Sequence, residues 1–265
     1  MLYFALFRKS FQRMVAYRSA TLAGIATNFF FGLLRASVFL AVFEASGGQT
    51  IGGYSLQDTL TFAALTQALG TPLNIFRFDT NIMRTIGSGE IAMELSKPFH
   101  YFSFWLCRDL GRATFQLLFR GTPVLLFFPF FFVLTWPDSL LRWGLASLSV
   151  LLAMLISFCW RFLINILAFW FVNAEGVGRF AWLAMAFFSG FLIPISFFPN
   201  WLAHLASFTP LPSIVNTPVE IYLGLLRGRA LWAGLSTQLA WLVVLTLLCH
   251  WGFERGRLRL SVQGG

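Results

Sequence analysis

The sequence predicts an all-α membrane protein with six transmembrane helices, and three observations predict it. Of the 265 residues, 58% are hydrophobic and only 11% charged, with a mean hydropathy of +0.74; soluble domains carry about 25% charged residues. Apolar runs of about 20 residues, the length that crosses a bilayer, recur along the whole chain. The basic residues, which bring the formal net charge to +9, collect on one side of those runs.

The first element, over 1–18, reads as an interfacial helix. Phe4, Phe7 and Phe11 are interleaved with Arg8, Lys9 and Arg13, as in an amphipathic helix lying at a membrane surface. A signal peptide is not expected, because the basic residues follow a very short apolar start and no small-residue cleavage site appears. Spans are placed near 20–43, 57–76, 113–135, 143–172, 180–198 and 231–252. The second contains Gln67, Pro72 and Asn74, which predicts packing within a bundle rather than exposure to lipid. The fourth is long enough to tilt or to project from the bilayer. Together these segments nearly use up the chain and leave no room for a separate soluble domain.

The stretch between the last two spans, 199–228, is unusual. Pro194, Pro199, Pro210, Pro212 and Pro218, five of the ten prolines, fall in or just before it, among Phe197, Phe198, Trp201, Leu205 and Phe208. A solvated loop would be polar. This pattern predicts short re-entrant helices dipping into the outer leaflet where protein covers their irregular backbone; an aromatic interfacial loop is the alternative. Pro194, Phe198, Pro199, Pro210 and Pro212 are the candidate gate residues.

Orientation follows from the basic residues. With the N-terminus inside, 13 of the 19 lysines and arginines fall on the cytoplasmic side, Arg142, Arg227 and Arg229 fall outside, and Arg35, Arg120 and Arg161 fall within spans. Six spans return the C-terminus to the cytoplasm. The positive charge is therefore a topology signal and gives no reason to invoke nucleic acid.

Catalytic motifs are missing. A phosphate-cradling loop needs Gly-x-x-x-x-Gly-Lys-Ser/Thr; only Lys9 precedes a Ser or Thr, and Arg8 occupies the required glycine position. Ala45-Ser46-Gly47-Gly48-Gln49 superficially resembles the signature loop of ABC ATPases but follows the first span on the outer side, where a flexible turn explains it. Cys107, Cys159 and Cys249 have no metal-ligand spacing and read as small buried hydrophobes. His100, His204 and His250 form no ligand pair, so no metal site is expected.

Arg35, Arg120 and Arg161 are the sharpest intramembrane signal. None has a carboxylate at matching depth in this span assignment. An unpaired charge at mid-membrane costs at least about 2.5–3.5 kcal/mol, so each should face protein, water or a headgroup. Arg120, nearest the inner side, is expected to bond backbone carbonyls or to reach lipid phosphate. Arg35 and Arg161, with Asn165 four residues on, are candidates for lining a translocation pathway.

Several stretches together carry a family resemblance. They are Ala16-Tyr17-Arg18, Tyr54-Ser55-Leu56-Gln57-Asp58-Thr59-Leu60, Gly89-Glu90-Ile91-Ala92-x-Glu94-Leu95-x-Lys97-Pro98, Phe188-Ser189-Gly190-Phe191-x-x-Pro194, Phe197-Phe198-Pro199, Gly256-Arg257-Leu258 and Val262-Gln263-Gly264-Gly265. In this order they resemble the permease subunits of type-2 ABC exporters, in the drug- or viologen-exporting branch. The resemblance covers essentially the whole chain.

It implies a bacterial plasma-membrane protein that works with a separate ABC ATPase dimer, which carries the ATP and Mg, and with a second permease of a different sequence. The substrate implied is a small amphipathic or lipophilic, drug-like molecule. It also implies that 87–98 is a cytoplasmic coupling helix seated on the ATPase. The residues agree. Gly87 and Gly89 break the preceding helix and Pro98 ends the short one. Ile91 and Leu95, four apart, can make one apolar face, Glu90 and Glu94 can meet basic residues of the motor, and Lys97 can pair with Glu94.

Other readings remain open at this point. The intramembrane arginines favour an anionic group, and with it a permease for a lipid or glycolipid. A secondary transporter would need internal repeats and intramembrane acids, and neither is evident. A non-transporting membrane anchor or assembly protein fits the hydropathy but leaves the 87–98 insert without a purpose.

Overall fold

The structure, a computed structural model, describes residues 2–16, 18–171 and 174–260, with Arg18 described by its backbone. Tyr17, position 172 at the end of the fourth expected span, and the closing Val262–Gly265 stretch lie outside the described residues. The described chain is helical: α1 (Leu2–Val15), α2 (Arg18–Ala45), α3 (Leu56–Gly70), α4 (Asn81–Gly87), α5 (Ile91–Leu95), α6 (Tyr101–Gln116), α7 (Thr122–Phe127), α8 (Leu140–Ile166), α9 (Ala174–Phe188), α10 (Asn200–Ser207), α11 (Asn216–Leu223) and α12 (Gly228–Arg257). The all-α membrane class expected from composition is the one observed.

The spans differ from expectation in instructive ways. Four stretches, Ser19–Ala45, Tyr101–Phe130, Leu140–Phe169 and Gly228–Arg257, are long and apolar enough to cross a membrane. The other two expected spans, 57–76 and 180–198, are the 15-residue helices α3 and α9, each about 22 Å long against a hydrocarbon core of about 30 Å. Helix α3 is buried from Thr59 to Gly70, as its polar residues predict. It starts on a capping box, with Ser55 Oγ accepting from Asp58 N at 3.1 Å and Asp58 Oδ2 accepting from Ser55 N at 3.2 Å. Its end is irregular, and side chains satisfy the freed backbone. Arg112 donates to the carbonyls of Thr71 and Pro72 at 3.2 and 3.0 Å, and Ser157 Oγ to that of Leu73 at 2.7 Å.

The third span begins near Tyr101 rather than 113, because Arg108, Asp109 and Arg112 made its first half look like a loop. It is also interrupted. Pro123 lacks an amide N–H and crowds the preceding turn, and the π-turn Leu117–Gly121 between α6 and α7 absorbs the mismatch.

Helix α1 lies along α6. A Cβ at Gly111 would fall on the Phe7 carbonyl oxygen, so only glycine permits this approach. Ser10 Oγ donates to the Arg108 carbonyl at 2.6 Å, and Phe11 meets Phe115 edge-on at 5.5 Å. Helix α8 is the scaffold, packed on both α11 and α12. A buried polar knot joins α8, α12 and the 211–213 turn before α11: Ser149 Oγ donates to Gln238 Oε1 at 2.8 Å, and Gln238 Nε2 donates to the Ser213 and Ser149 carbonyls at 2.9 and 3.2 Å. Gln238→Leu strands both Ser149 and the Ser213 carbonyl. It is expected to cost about 1–3 kcal/mol, read as a thermal midpoint lowered by several degrees in detergent; an unchanged midpoint would show that the knot is dispensable.

Between α9 and α12 the chain folds back on itself. Asn216 N donates to the Ser189 carbonyl at 2.9 Å, and Asn216 Oδ1 accepts from Ile195 N at 3.1 Å. Helix α11 is buried against α8 and α3, whereas α10 leaves Trp201, Leu205 and Phe208 exposed. Within 199–228, α11 is therefore the buried part, and α10 with Phe208 the exposed aromatic part.

Candidate functional site

The 87–98 segment folds as a single short helix between two turns. Gly87 closes α4, Gly89 adopts a φ of +78° that a side chain would resist, and α5 occupies only Ile91–Leu95, with Pro98 three residues beyond. Its orientation departs from expectation. Ile91 is fully buried in the core and Leu95 packs against it, so this apolar face belongs to the chain itself. Glu94 is half-buried and makes no ion pair with Lys97, whose amide instead donates to the Glu94 carbonyl at 3.3 Å. The outward surface consists of Glu90, Ala92, Met93, Lys97 and Pro98, with Met93 65% exposed. The i,i+4 spacing identified a face correctly; burial in a neighbouring cluster decided which way it turned.

The stretch that leads into this segment, 79–87, is tied to the bundle at several points. Asn165 Oδ1 accepts from the Met83 amide at 3.0 Å, and Asn165 Nδ2 donates to the Asp79 carbonyl at 2.9 Å. Thr85 Oγ1 lies 3.4 Å from the Tyr101 hydroxyl, and the Tyr101 ring stacks on Phe253 at 4.9 Å. Hydrogen bonds and packed rings thus join α4 to α8 and to Tyr101 of α6, and Tyr101 to α12. Asn165, a candidate pathway residue, holds Asp79 and Met83 to α8 and also lines a cavity.

Arg161 also differs from expectation, since it does have a carboxylate. Its guanidinium grips Asp109 in a fork, at 3.1 Å to Oδ1 and 2.7 Å to Oδ2, and Arg112 reaches the same carboxylate at 2.9 Å. Arg161 and Asp109 are both buried. Asp109 was missed because the third span was started after it; once the helix begins at Tyr101 the two charges lie at one depth. The available signal was the Arg-Asp-x-x-Arg spacing at 108–112, which puts Arg112 one turn from Asp109.

Arg35 and Arg120 behave as intramembrane arginines should. Arg120 donates to the Ala20 carbonyl at 2.6 Å, as expected. Arg35 donates to Thr66 Oγ1 and the Phe191 carbonyl, both at 2.8 Å, and stands over the Phe191 ring at 4.4 Å. It floors a groove of about 370 Å³ lined otherwise by Gln67 and apolar residues such as Phe31, Val38 and Phe76. The candidate gate prolines flank short turns: Pro194 and Pro199 precede the 195–197 turn and α10, and Pro210 and Pro212 bracket the start of the 211–213 turn. Phe198 is buried, stacked on Phe187 at 5.1 Å. The structure brings Arg35 close to this region through Phe191, but places Arg161 and Asn165 at the other end, beside the 79–95 segment.

On α11, outside the four spanning helices, the Tyr54 hydroxyl donates to Glu220 Oε1 at 3.3 Å, and burial lifts the Glu220 carboxyl above its ordinary value of 4.5. The folded chain then binds a proton more tightly than the unfolded chain. This contribution favours folding fully below pH 4.5 and is lost as pH rises through the folded value. Glu220→Gln should therefore flatten the fall in thermal midpoint above pH 4.5; an unaltered pH profile would show that Glu220 is not its source.

A second cavity, of about 480 Å³, lies between α1, the start of α2, the 74–81 loop, α6 and α8, with Asp109 and Arg161 in its wall. Residues 30–264 match the model of a family described as ABC-2 family transporter protein. Among curated proteins the chain has no match.

Proposed function

The chain belongs to the ABC-2 transporter family, whose members are the membrane permeases of ABC transporters, and from that premise we propose that it exports a small amphipathic or lipophilic molecule. The ATP and Mg are handled by a separate ATPase dimer. A second permease, of different sequence, completes the pathway. The complex sits in a bacterial plasma membrane with both termini of this chain in the cytoplasm.

The observation that carries this reading is the two-sided 87–98 segment. Its inner face is bound into the core through Ile91, and its outer face offers Met93 between Glu90 and Lys97. An apolar centre with charged neighbours is the pattern of a protein contact. Closure of the ATPase dimer around ATP would move this segment, and Asn165 and Tyr101 would carry the motion into α8, α6 and α12. Such a device needs two packings of the bundle that nucleotide binding can bias. The Arg35 groove, apolar with one cation, supports a pathway for an amphipathic molecule at a junction with the second permease.

A lipid or glycolipid substrate is the second reading, favoured by the arginine-lined cavity under α1. Reconstitution with the ATPase and second permease tests both. Uptake of an amphipathic anionic dye into inverted vesicles, dependent on ATP and lost in Arg35→Ala, supports the first. Flipping of a fluorescent phospholipid with no dye transport supports the second, and neither activity in an assembled complex defeats both.

A further inference from the structure

We propose that the cavity beneath α1 binds a phosphate group, as the headgroup phosphate of an anionic lipid or as a soluble phosphate of the same chemistry. Six arginines line this cavity against two aspartates, Asp79 and Asp109. Asp109 is fully engaged by Arg161 and Arg112. Asp79 uses Oδ1 to accept from the Asn81 amide at 3.0 Å and forms no ion pair among the described residues. Arg13, Arg77, Arg108 and Arg120 likewise have no ion pair among the described residues. Four cations thus face one small volume against a single carboxylate outside any ion pair, Asp79.

Two of them are held in place rather than free to swing into water. The Arg108 guanidinium is stacked over Trp105 at 4.5 Å and lies 5.3 Å from the Phe104 ring centre. Stacking engages its face and leaves its edge N–H groups for a ligand. Arg120 spends one N–H on the Ala20 carbonyl, while its Nε is buried without a hydrogen-bond partner. Arg108 and Arg120 are part-buried and Arg13 and Arg77 exposed; like charges lining one cavity repel, and an anion among them converts that cost into attraction. Guanidinium forks approaching from several helices suit a tetrahedral phosphate, whose oxygens point in several directions, better than a planar carboxylate. The volume lies in the range of small-molecule sites. Leu22 and Phe119, next in sequence to the lining residues Thr21 and Arg120, are exposed apolar side chains, available to an acyl chain that leaves the cavity. The inference uses only groups of this chain and does not depend on what is transported.

The test uses the full chain in neutral detergent. It is offered phosphatidylglycerol or phosphatidylcholine in mixed micelles, and separately inorganic phosphate, and is read by native mass spectrometry and thermal melting. Expected is retention of phosphatidylglycerol, with a rise in melting temperature, over phosphatidylcholine. The pair Arg77→Gln and Arg108→Gln should weaken it by about tenfold or more. Arg229→Gln, which removes an exposed charge on α12, should not. Inorganic phosphate that stabilises the chain and displaces the lipid, with the same dependence on Arg77 and Arg108, identifies a soluble phosphate as ligand. Stabilisation by phosphatidylglycerol alone identifies a lipid. Should the glutamine pair fail to fold, the lysine pair keeps the charge but loses the forks, and must bind more weakly than the unaltered chain while melting normally without ligand. Equal binding by the variants, or no response of the unaltered chain to either probe, overturns the proposal.

Discussion

Asp109→Ala is expected to destabilise this chain by about 3–5 kcal/mol, the penalty of breaking a buried ion pair from one side. The cost arises less from lost attraction than from what remains. Arg161 is 5% exposed and, among the described residues, would keep its charge with only Ser157 Oγ, at 3.4 Å, as a side-chain partner. Arg112 would lose its carboxylate but retain the Thr71 and Pro72 carbonyls. At about 2–4 °C per kcal/mol for a chain of this size, the midpoint should fall by roughly 10 °C. The diagnostic companion is the double change Asp109→Leu with Arg161→Met. Removing both charges removes the stranded cation, so the double variant should be more stable than Asp109→Ala despite altering more atoms. An Asp109→Ala chain that melts with the unaltered one, or a double variant that is worse than the single, would show that the pair is not held in a low-dielectric site.

How much of this was legible in the sequence depends on the range of the interactions involved. The class followed from composition, because lipid solubility is a property of the whole chain. Buried α3 was legible from Gln67 and Pro72, since polar groups in an apolar run must face protein. The turn at Gly89 was legible too, because glycine marks backbone that other residues resist. The pairing of Arg161 with Asp109 was not, since it joins residues 52 apart, and the same Asp109 shifted the estimated start of its helix. The inward turn of Ile91 was hidden for a related reason. Periodicity assigns residues to a face but does not say what covers it, and here the face joins a core cluster that also holds Ile86, Tyr101 and Phe102. Gln238 looked like one polar residue in a long span, and only its distance partners Ser149 and Ser213 give it a role.

The inward turn of Ile91 also decides which variants can test coupling. Met93→Asp should leave the isolated chain unaffected, since Met93 is 65% exposed and surface changes of this kind fall within about 0.5 kcal/mol. In the assembled complex it puts a charge at the apolar centre of the proposed contact. Loss of a central anchor costs about 2 kcal/mol or more, a fall of over tenfold in affinity for the ATPase, with substrate-stimulated ATP hydrolysis and transport falling together. Ile91→Asp would abolish transport as well, but for a different reason. It buries an unpaired carboxylate in the core, so the isolated chain should melt early or fail to accumulate. The two variants therefore give the same transport defect with opposite stability, and only the pair separates a contact surface from a structural support. Glu90→Arg, exposed beside Met93, extends the test: a basic cleft on the ATPase would repel it, and raised salt would lessen the defect by screening. If Met93→Asp assembles with the ATPase and transports at the unaltered rate, the outward face of 87–98 is not where the motor acts, and the force must enter this bundle elsewhere.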